Sequence, residues 1–349
     1  MSYRKLQWIL VVLMIVAALL SAGTGAMAIS PVRIMAILLD RAGWHLPVYY
    51  DEGMAAVLLQ IRLPRVLMGM LVGAGLAVSG AAIQGLFRNP LADPGLVGIS
   101  AGASLAAVLF IVVLATLPAV TNSALLPHYL LNLVTFAGAC MTSLLVFRIS
   151  RWGGRTLITT LLLAGLALNA LCSAFTGLVI STADNEQLRS ITFWTLGSLG
   201  GASWDTVLAL LPFVLLPLIL LSWQGKALNA FSLGEPEAAH IGVNVKKLKG
   251  QIILLSTLAV GACVAVSGVI GFVGLVVPHM LRSVIGSDHR RLLPACACLG
   301  AALLTLADML CRTVIAPAEL PIGIVTALLG SPLFIVLLMK QKKYLFGLA

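Results

Sequence analysis

The sequence predicts an all-α, polytopic membrane protein with about ten transmembrane helices, on three observations. Hydrophobic residues fill 60% of the 349 positions and charged ones only 10%, where soluble domains carry roughly 25% charge. The mean hydropathy of +1.07 calls for lipid as the solvent, because a core of this size has no use for so much apolar surface. The apolar residues also fall in long runs joined by short, mostly basic connections. The net charge of +10 is scattered between those runs, as positive loops beside membrane spans are, and does not form a nucleic-acid-binding patch.

Taken in order, the first run (6–27) follows Arg4 and Lys5 and ends near Ala26, Met27 and Ala28. That end resembles a signal-peptidase site, but the run is longer than a signal core and reads as an uncleaved first span. Ser30 and Pro31 open a short amphipathic segment to Asp40, and a polar linker with His45, Tyr49, Tyr50, Asp51 and Glu52 follows. Further spans are expected at 64–86, 96–117, 129–147, 157–180, 207–221, 252–266, 270–285, 292–313 and 322–339. The doubtful stretch is 252–281, nearly unbroken and apolar. One helix of that length would reach about 45 Å, against a hydrocarbon core of about 30 Å, so a break at Ser267 and Gly268 is expected. Charge parity agrees. With ten spans and both termini cytoplasmic, the Lys and Arg residues divide 16 inside to 6 outside, whereas merging the two spans leaves 11 on each side. The positive-inside rule selects ten.

Between two apolar blocks lies a polar island, Lys226 to Lys249. Its pattern predicts two short helices: Ser232 or Gly234 as cap, Pro236 in an early helical position, and Gly242 as a left-handed end. Such an island is a handle for a soluble partner. Within the spans, Gly98 and Gly102 form a small-xxx-small pair, Gly73, Gly75 and Gly80 line one span, and Gly268, Gly271 and Gly274 another. These positions let helices approach closely. The tripeptide Val78-Ser79-Gly80 recurs as Val266-Ser267-Gly268 five spans later, which fits an inverted five-plus-five repeat.

No GxxxxGK[ST], HExxH or paired buried carboxylates occur, so an enzyme has little to stand on. All six cysteines lie in apolar runs without a CxxC pair; neither a metal site nor a disulfide framework is expected. An ion-coupled secondary transporter would carry ionisable groups at mid-membrane. The spans hold almost none beyond Asp308 and His279, both toward span ends, which favours a subunit that borrows ATP hydrolysis.

Arg62-Leu63-Pro64-Arg65 opening a span, Gly80 and Gln84 within it, and the run Arg88 to Gly98 (RNPLADPGLVG) after it resemble the signature of the FecCD-type permeases. Trp194–Trp204, Leu233–Gly242, Gly271–Arg282, Asp288-His289-Arg290 and Glu319–Gly330 extend the resemblance over nearly the whole chain, in the right order. These permeases are the membrane subunits of ABC importers for iron siderophores, haem and vitamin B12. The resemblance implies the type II ABC importer fold as one domain over 1–349. It also implies a homodimer in the bacterial inner membrane, with both termini cytoplasmic. By the same resemblance, two cytoplasmic subunits are expected to bind ATP and Mg, a periplasmic solute-binding protein to deliver cargo, and the permease itself to bind no cofactor.

The resemblance assigns sites as well. Loop 226–249 becomes the coupling element, with Gly234, Glu235, Glu237, Ala238, Ala239, His240 and Gly242 at the ATPase contact. Arg62, Arg65 and Arg312 would meet acidic residues of the binding protein, the alternative for Arg312 being local pairing with Asp308 one turn earlier. Asn89 and Leu91, with Thr159 and Thr160, would form a cytoplasmic gate, the alternative being a purely structural turn. Arg189 is expected to pair with Glu186. Among family cargoes, the run RNPLADPGLVGISAGAS is most similar to haem permeases, with a ferric siderophore or vitamin B12 as alternatives.

Overall fold

The computed structural model describes residues 3–113, 126–153 and 155–345. In chain order its helices are α1 (Tyr3–Gly23), α2 (Pro31–Arg41), α3 (Glu52–Ala56), α4 (Leu63–Phe87), α5 (Ile99–Val112), α6 (Leu126–Ile149) and α7 (Ile158–Ile180). Then follow α8 (Asn185–Leu196), α9 (Trp204–Trp223), α10 (Gly225–Leu233), α11 (Glu235–His240), α12 (Val245–Ser267), α13 (Val273–Ile285), α14 (His289–Thr313) and α15 (Ile322–Leu345). A two-stranded hairpin, β1 (Arg151–Trp152) with β2 (Arg155–Thr156), joins α6 to α7. Among the described residues seven helices are long and apolar enough to cross a membrane, and α5, α13 and the first part of α15 are shorter apolar helices. Every expected span has its helix. The far end of span 96–117 runs beyond the described residues.

The rod Glu52–Phe87, continuous through a π-helical stretch at Val57–Arg62, is the axis of the bundle. Its α4 portion is buried on all sides, which its Ala, Gly and Ser content permits. Helix α14 runs antiparallel along it: Arg65 meets Asp308, Gly73 meets Gly300, and Gly85 meets His289. A Cβ on Gly73 would overlap the Gly300 carbonyl, and one on Gly80 the Gly274 carbonyl; these two contacts set how closely α14 and α13 approach the axis. Helix α1 lies against α14, with Tyr3 at Arg291 and Ser21 at Arg312.

The break in 252–281 falls where expected. Helix α12 stops at Ser267, Gly268 turns at φ 69°, and α13 starts after Phe272 at φ 68°. A matching turn follows α4: Arg88 adopts φ 50°, and Asp93 caps a 3-10 turn, Pro94–Val97, before α5. Pro94 lies beside Gly274, so α5 and α13 both begin inside the bundle. Irregular backbone at this depth survives only if its polar groups are bonded. Asp93 accepts from Gly95 N at 2.7 Å, Asn169 donates to Gly95 O at 3.0 Å, Ser198 N donates to Ser267 O at 2.8 Å, and Gln84 donates to Gly274 O at 3.2 Å.

Candidate functional site

The polar island folds as the two short helices its capping residues predict, α10 and α11, hinged at Gly234 with φ 143°. Pro236 sits in the first turn of α11, and Gly242 leaves it at φ 92°. One face is anchored. Phe231 and Ala238 are fully buried, Lys249 of α12 donates to Glu235 at 2.6 Å and to Thr156 O at 2.7 Å, and the Glu237 carboxylate folds against Gly234. The other face is open: Glu237, Ala239, His240 and Gly242 are exposed, between Leu233 and Ile241, which are 67% and 65% accessible. Small residues flanked by two free apolar side chains on a rigid base suit a tight protein contact.

Two contacts carry this loop into the membrane bundle. Arg88 and Lys249 each lie 5.9 Å from the centre of the Phe231 ring, so α10 touches the turn after α4 directly. Asn229 forms a double clasp on the start of α14. Its amide nitrogen donates to Asp288 at 2.6 Å, and its oxygen accepts from His289 N at 2.8 Å, with His289 Nδ1 at 2.9 Å. Hydrogen bonds from Arg290, then from Asn229, hold the Asp288 carboxyl below the usual carboxylate range, and its charge suits the start of a helix. Neither Asn229 nor the clasp is visible in sequence, since about sixty residues separate the partners.

The far end of α14, about 37 Å away, carries the arginine cluster. Arg65 Nε is 3.1 Å from both oxygens of Asp308 and Nη2 is 2.9 Å from one; Nη1 and Nη2 each donate to Glu319 at 2.9 Å. Arg312 pairs with Asp308 at 3.1 Å and donates to the Ser21 hydroxyl at 2.7 Å. Arg62 caps carbonyl groups at the end of α1: Ala22 at 2.8 Å, Gly23 at 3.0 Å, and Met27. The structure thus brings the three arginines to one end and turns their guanidinium groups inward onto carboxylates and carbonyls. The physical reason is desolvation. A cation folded among apolar helices needs carboxylates or carbonyls around it, and Asp308 supplies the pair that sequence spacing offered for Arg312. The half-exposed group at this cluster is Glu319, whose carboxyl Arg65 holds below its ordinary value.

Asn89 and Leu91 form an Asx turn, Asn89 Oδ1 accepting from Leu91 N at 2.9 Å. Thr159 is exposed and Thr160 half-buried in the first turn of α7. The close contacts between that turn and α7 lie deeper, at Gly165 against Leu96 O and at Asn169. Arg189 lies over the Phe193 ring at 5.8 Å and makes no ion pair with Glu186 among the described residues. Among the described residues no group of His, Cys, Asp and Glu could hold a metal, and the six cysteines are free.

A buried axial helix, two spans broken at mid-depth and an anchored polar loop at one end define a multi-pass transport permease. The chain belongs to the FecCD transport family, whose model matches residues 13–340. It is 46% identical over 344 residues to the hemin transport system permease protein HmuU of Yersinia pestis, covering 99% of this chain and 98% of that one. It is 40% identical over 346 residues, 97% of each chain, to the vitamin B12 import system permease protein BtuC of Escherichia coli. A solved structure described as an inward-facing conformation of a metal-chelate type ABC transporter superposes with a TM-score of 0.83 at 35% identity, covering 97% of this chain and 99% of that one.

Proposed function

We propose that this chain is the permease subunit of an ABC importer that moves haem across the bacterial inner membrane by alternating access. The observation that carries the cargo is the 46% identity with the hemin permease over 99% of the chain. Vitamin B12 is the second reading, favoured by the 40% identity with its permease. Two copies of the chain form the pathway between them. The lipid-like face of α7, with Leu163, Leu166 and Leu178 exposed, supports a second copy there. ATP and Mg belong to two cytoplasmic subunits that receive the exposed face of α11, and the chain itself binds no cofactor and hydrolyses nothing. Both termini and the coupling loop lie in the cytoplasm, which supports Asn89, Leu91, Thr159 and Thr160 as the closure on that side.

The solute-binding protein docks at the opposite end. With Arg65 bound by Asp308 and Glu319, docking there proceeds by carboxylate exchange: an acidic group of the incoming protein displaces the half-exposed Glu319 and takes over its two hydrogen bonds. The test is ATP-dependent uptake of haem into proteoliposomes holding the permease, its ATPase and its binding protein. Uptake that needs all three and is lost in Glu237→Arg supports the reading. Uptake of vitamin B12 or a ferric siderophore but not haem overturns the cargo, and uptake by the permease alone overturns the class.

A further inference from the structure

At the coupling-loop end, the outer side of α12 is covered over only part of its length. Nearer the middle of the bundle, α6 and α9 close over it, with Phe136 and Phe213 rings 5.2 Å apart and Phe136 packed over Gly261. One to two turns from its start they separate. There α12 presents Lys246, Lys247, Gly250, Gln251 and Leu254 in a groove. Two cavities of about 380 and 310 Å³ share Asn244, Lys247 and Gln251. The larger is walled by Phe147 and Arg151, the Arg151 guanidinium resting over the Phe147 ring at 5.6 Å. The smaller is walled by Gln224 and Ala227, with Gln224 bonded to Gln251 at 3.1 Å.

The charges and the apolar groups here are ordered along the bundle axis. Lys246, Lys247 and Arg151 are exposed on the coupling-loop side. Leu254, 58% accessible, lies about two turns further in, and Trp223, 74% accessible, stands beside Gln224 as an interfacial aromatic. No carboxylate lines either cavity. Arg151, Lys246 and Lys247 have no partner among the described ion pairs; Glu235, which shares a neighbouring cavity with Lys246, is bonded to Lys249.

We propose that this groove binds one anionic phospholipid of the inner leaflet, its headgroup phosphate between Arg151 and Lys247 and an acyl chain along Leu254. The charge sign selects a phosphate that carries net negative charge, such as that of phosphatidylglycerol, over a zwitterionic headgroup. The groove's apolar floor selects a lipid over a free phosphate. Its location gives the lipid a role: it touches the β1–β2 hairpin and the start of α12, and both hold the base of α11 through Thr156 and Lys249. A bound headgroup stiffens that base. The proposal rests on the cytoplasmic placement of the coupling loop and not on the cargo.

The test uses the full-length permease with its ATPase subunit, in nanodiscs of phosphatidylethanolamine with increasing phosphatidylglycerol, read by native mass spectrometry. Phosphatidylglycerol is expected to be retained at one per permease chain. Retention should fall roughly twenty-five-fold in Arg151→Gln/Lys247→Gln, at about fivefold per charge, with phosphatidylethanolamine retention and melting temperature unchanged. Leu254→Ser, which keeps the charges, should also weaken it. Equal retention in the double variant overturns the proposal. So does displacement by millimolar glycerol phosphate, which would assign the site to a soluble anion. Retention by the permease alone but not by the complex overturns it too, since the ATPase then covers the groove. None of these readouts depends on transport, so their failure is distinct from failure of the importer reading.

Discussion

Asp308 is the residue on which the outer end of the molecule turns, because two arginines from different helices, Arg65 and Arg312, converge on it in a buried setting. Removing one member of such a network leaves an uncompensated charge, which costs about 3–5 kcal/mol, while an exposed pair is worth about 0–1 kcal/mol. Asp308→Asn should therefore lower the melting temperature of the purified permease sharply, and Glu319→Gln barely. An equal effect of both would contradict the geometry. Glu319 also sets a pH dependence. Its folded pKa is lowered from an ordinary value of 4.5 by the hydrogen bonds of Arg65, so its contribution is complete above that value and disappears as pH falls through the lower folded one. The small gap between wild-type and Glu319→Gln melting temperatures should be present at neutral pH and close in acid; a gap that widened in acid would refute the assignment. Sequence reading found Arg62 and Arg65 through their motif and Arg312 through its correspondence with the family. It could not see that Glu319, more than 250 positions away, would lie on Arg65.

At the scale of elements, α14 links the two functional ends, clasped by Asn229 at its start and carrying Asp308 near its end. Asn229→Leu removes both halves of the clasp at a half-buried position. The expected outcome is an assembled permease–ATPase complex whose ATP hydrolysis no longer rises when the binding protein is added, with basal hydrolysis retained. Unchanged stimulation would show that the signal bypasses α14, by way of Arg88 on Phe231. Close approach of helices is a second element-scale property. Gly80→Val drives a side chain into the Gly274 carbonyl, and overpacking of this kind costs about 1–3 kcal/mol or more. A thermal scan should show that loss. Element count and breaks were legible because thirty apolar residues cannot cross a bilayer as one helix and because charge parity has only two solutions. The depth at which α5 and α13 start was not. It depends on Asp93, Asn169, Gln84 and Ser198 bonding backbone groups far away in the chain.

For the whole molecule, the two ends differ in chemistry: one gathers basic loops around a polar handle, the other turns its arginines inward. Docking by carboxylate exchange predicts that association with the binding protein weakens as salt rises from 50 to 500 mM, since screening shortens the reach of charge pairs to a few ångströms; salt-independent binding would argue for an apolar interface. By itself, the sequence determined the class, the number of spans, the family and the two short helices of the polar loop, because each is written in local composition, short motifs or charge sums that need no contacts. Tertiary structure alone decided which polar groups are free. Arg65 and Arg312 are neutralised by Asp308, Glu235 is held by Lys249, and Lys247 with Arg151 is left open beside Leu254. The reason is that a charge is quenched or available according to what the fold sets within about 4 Å of it.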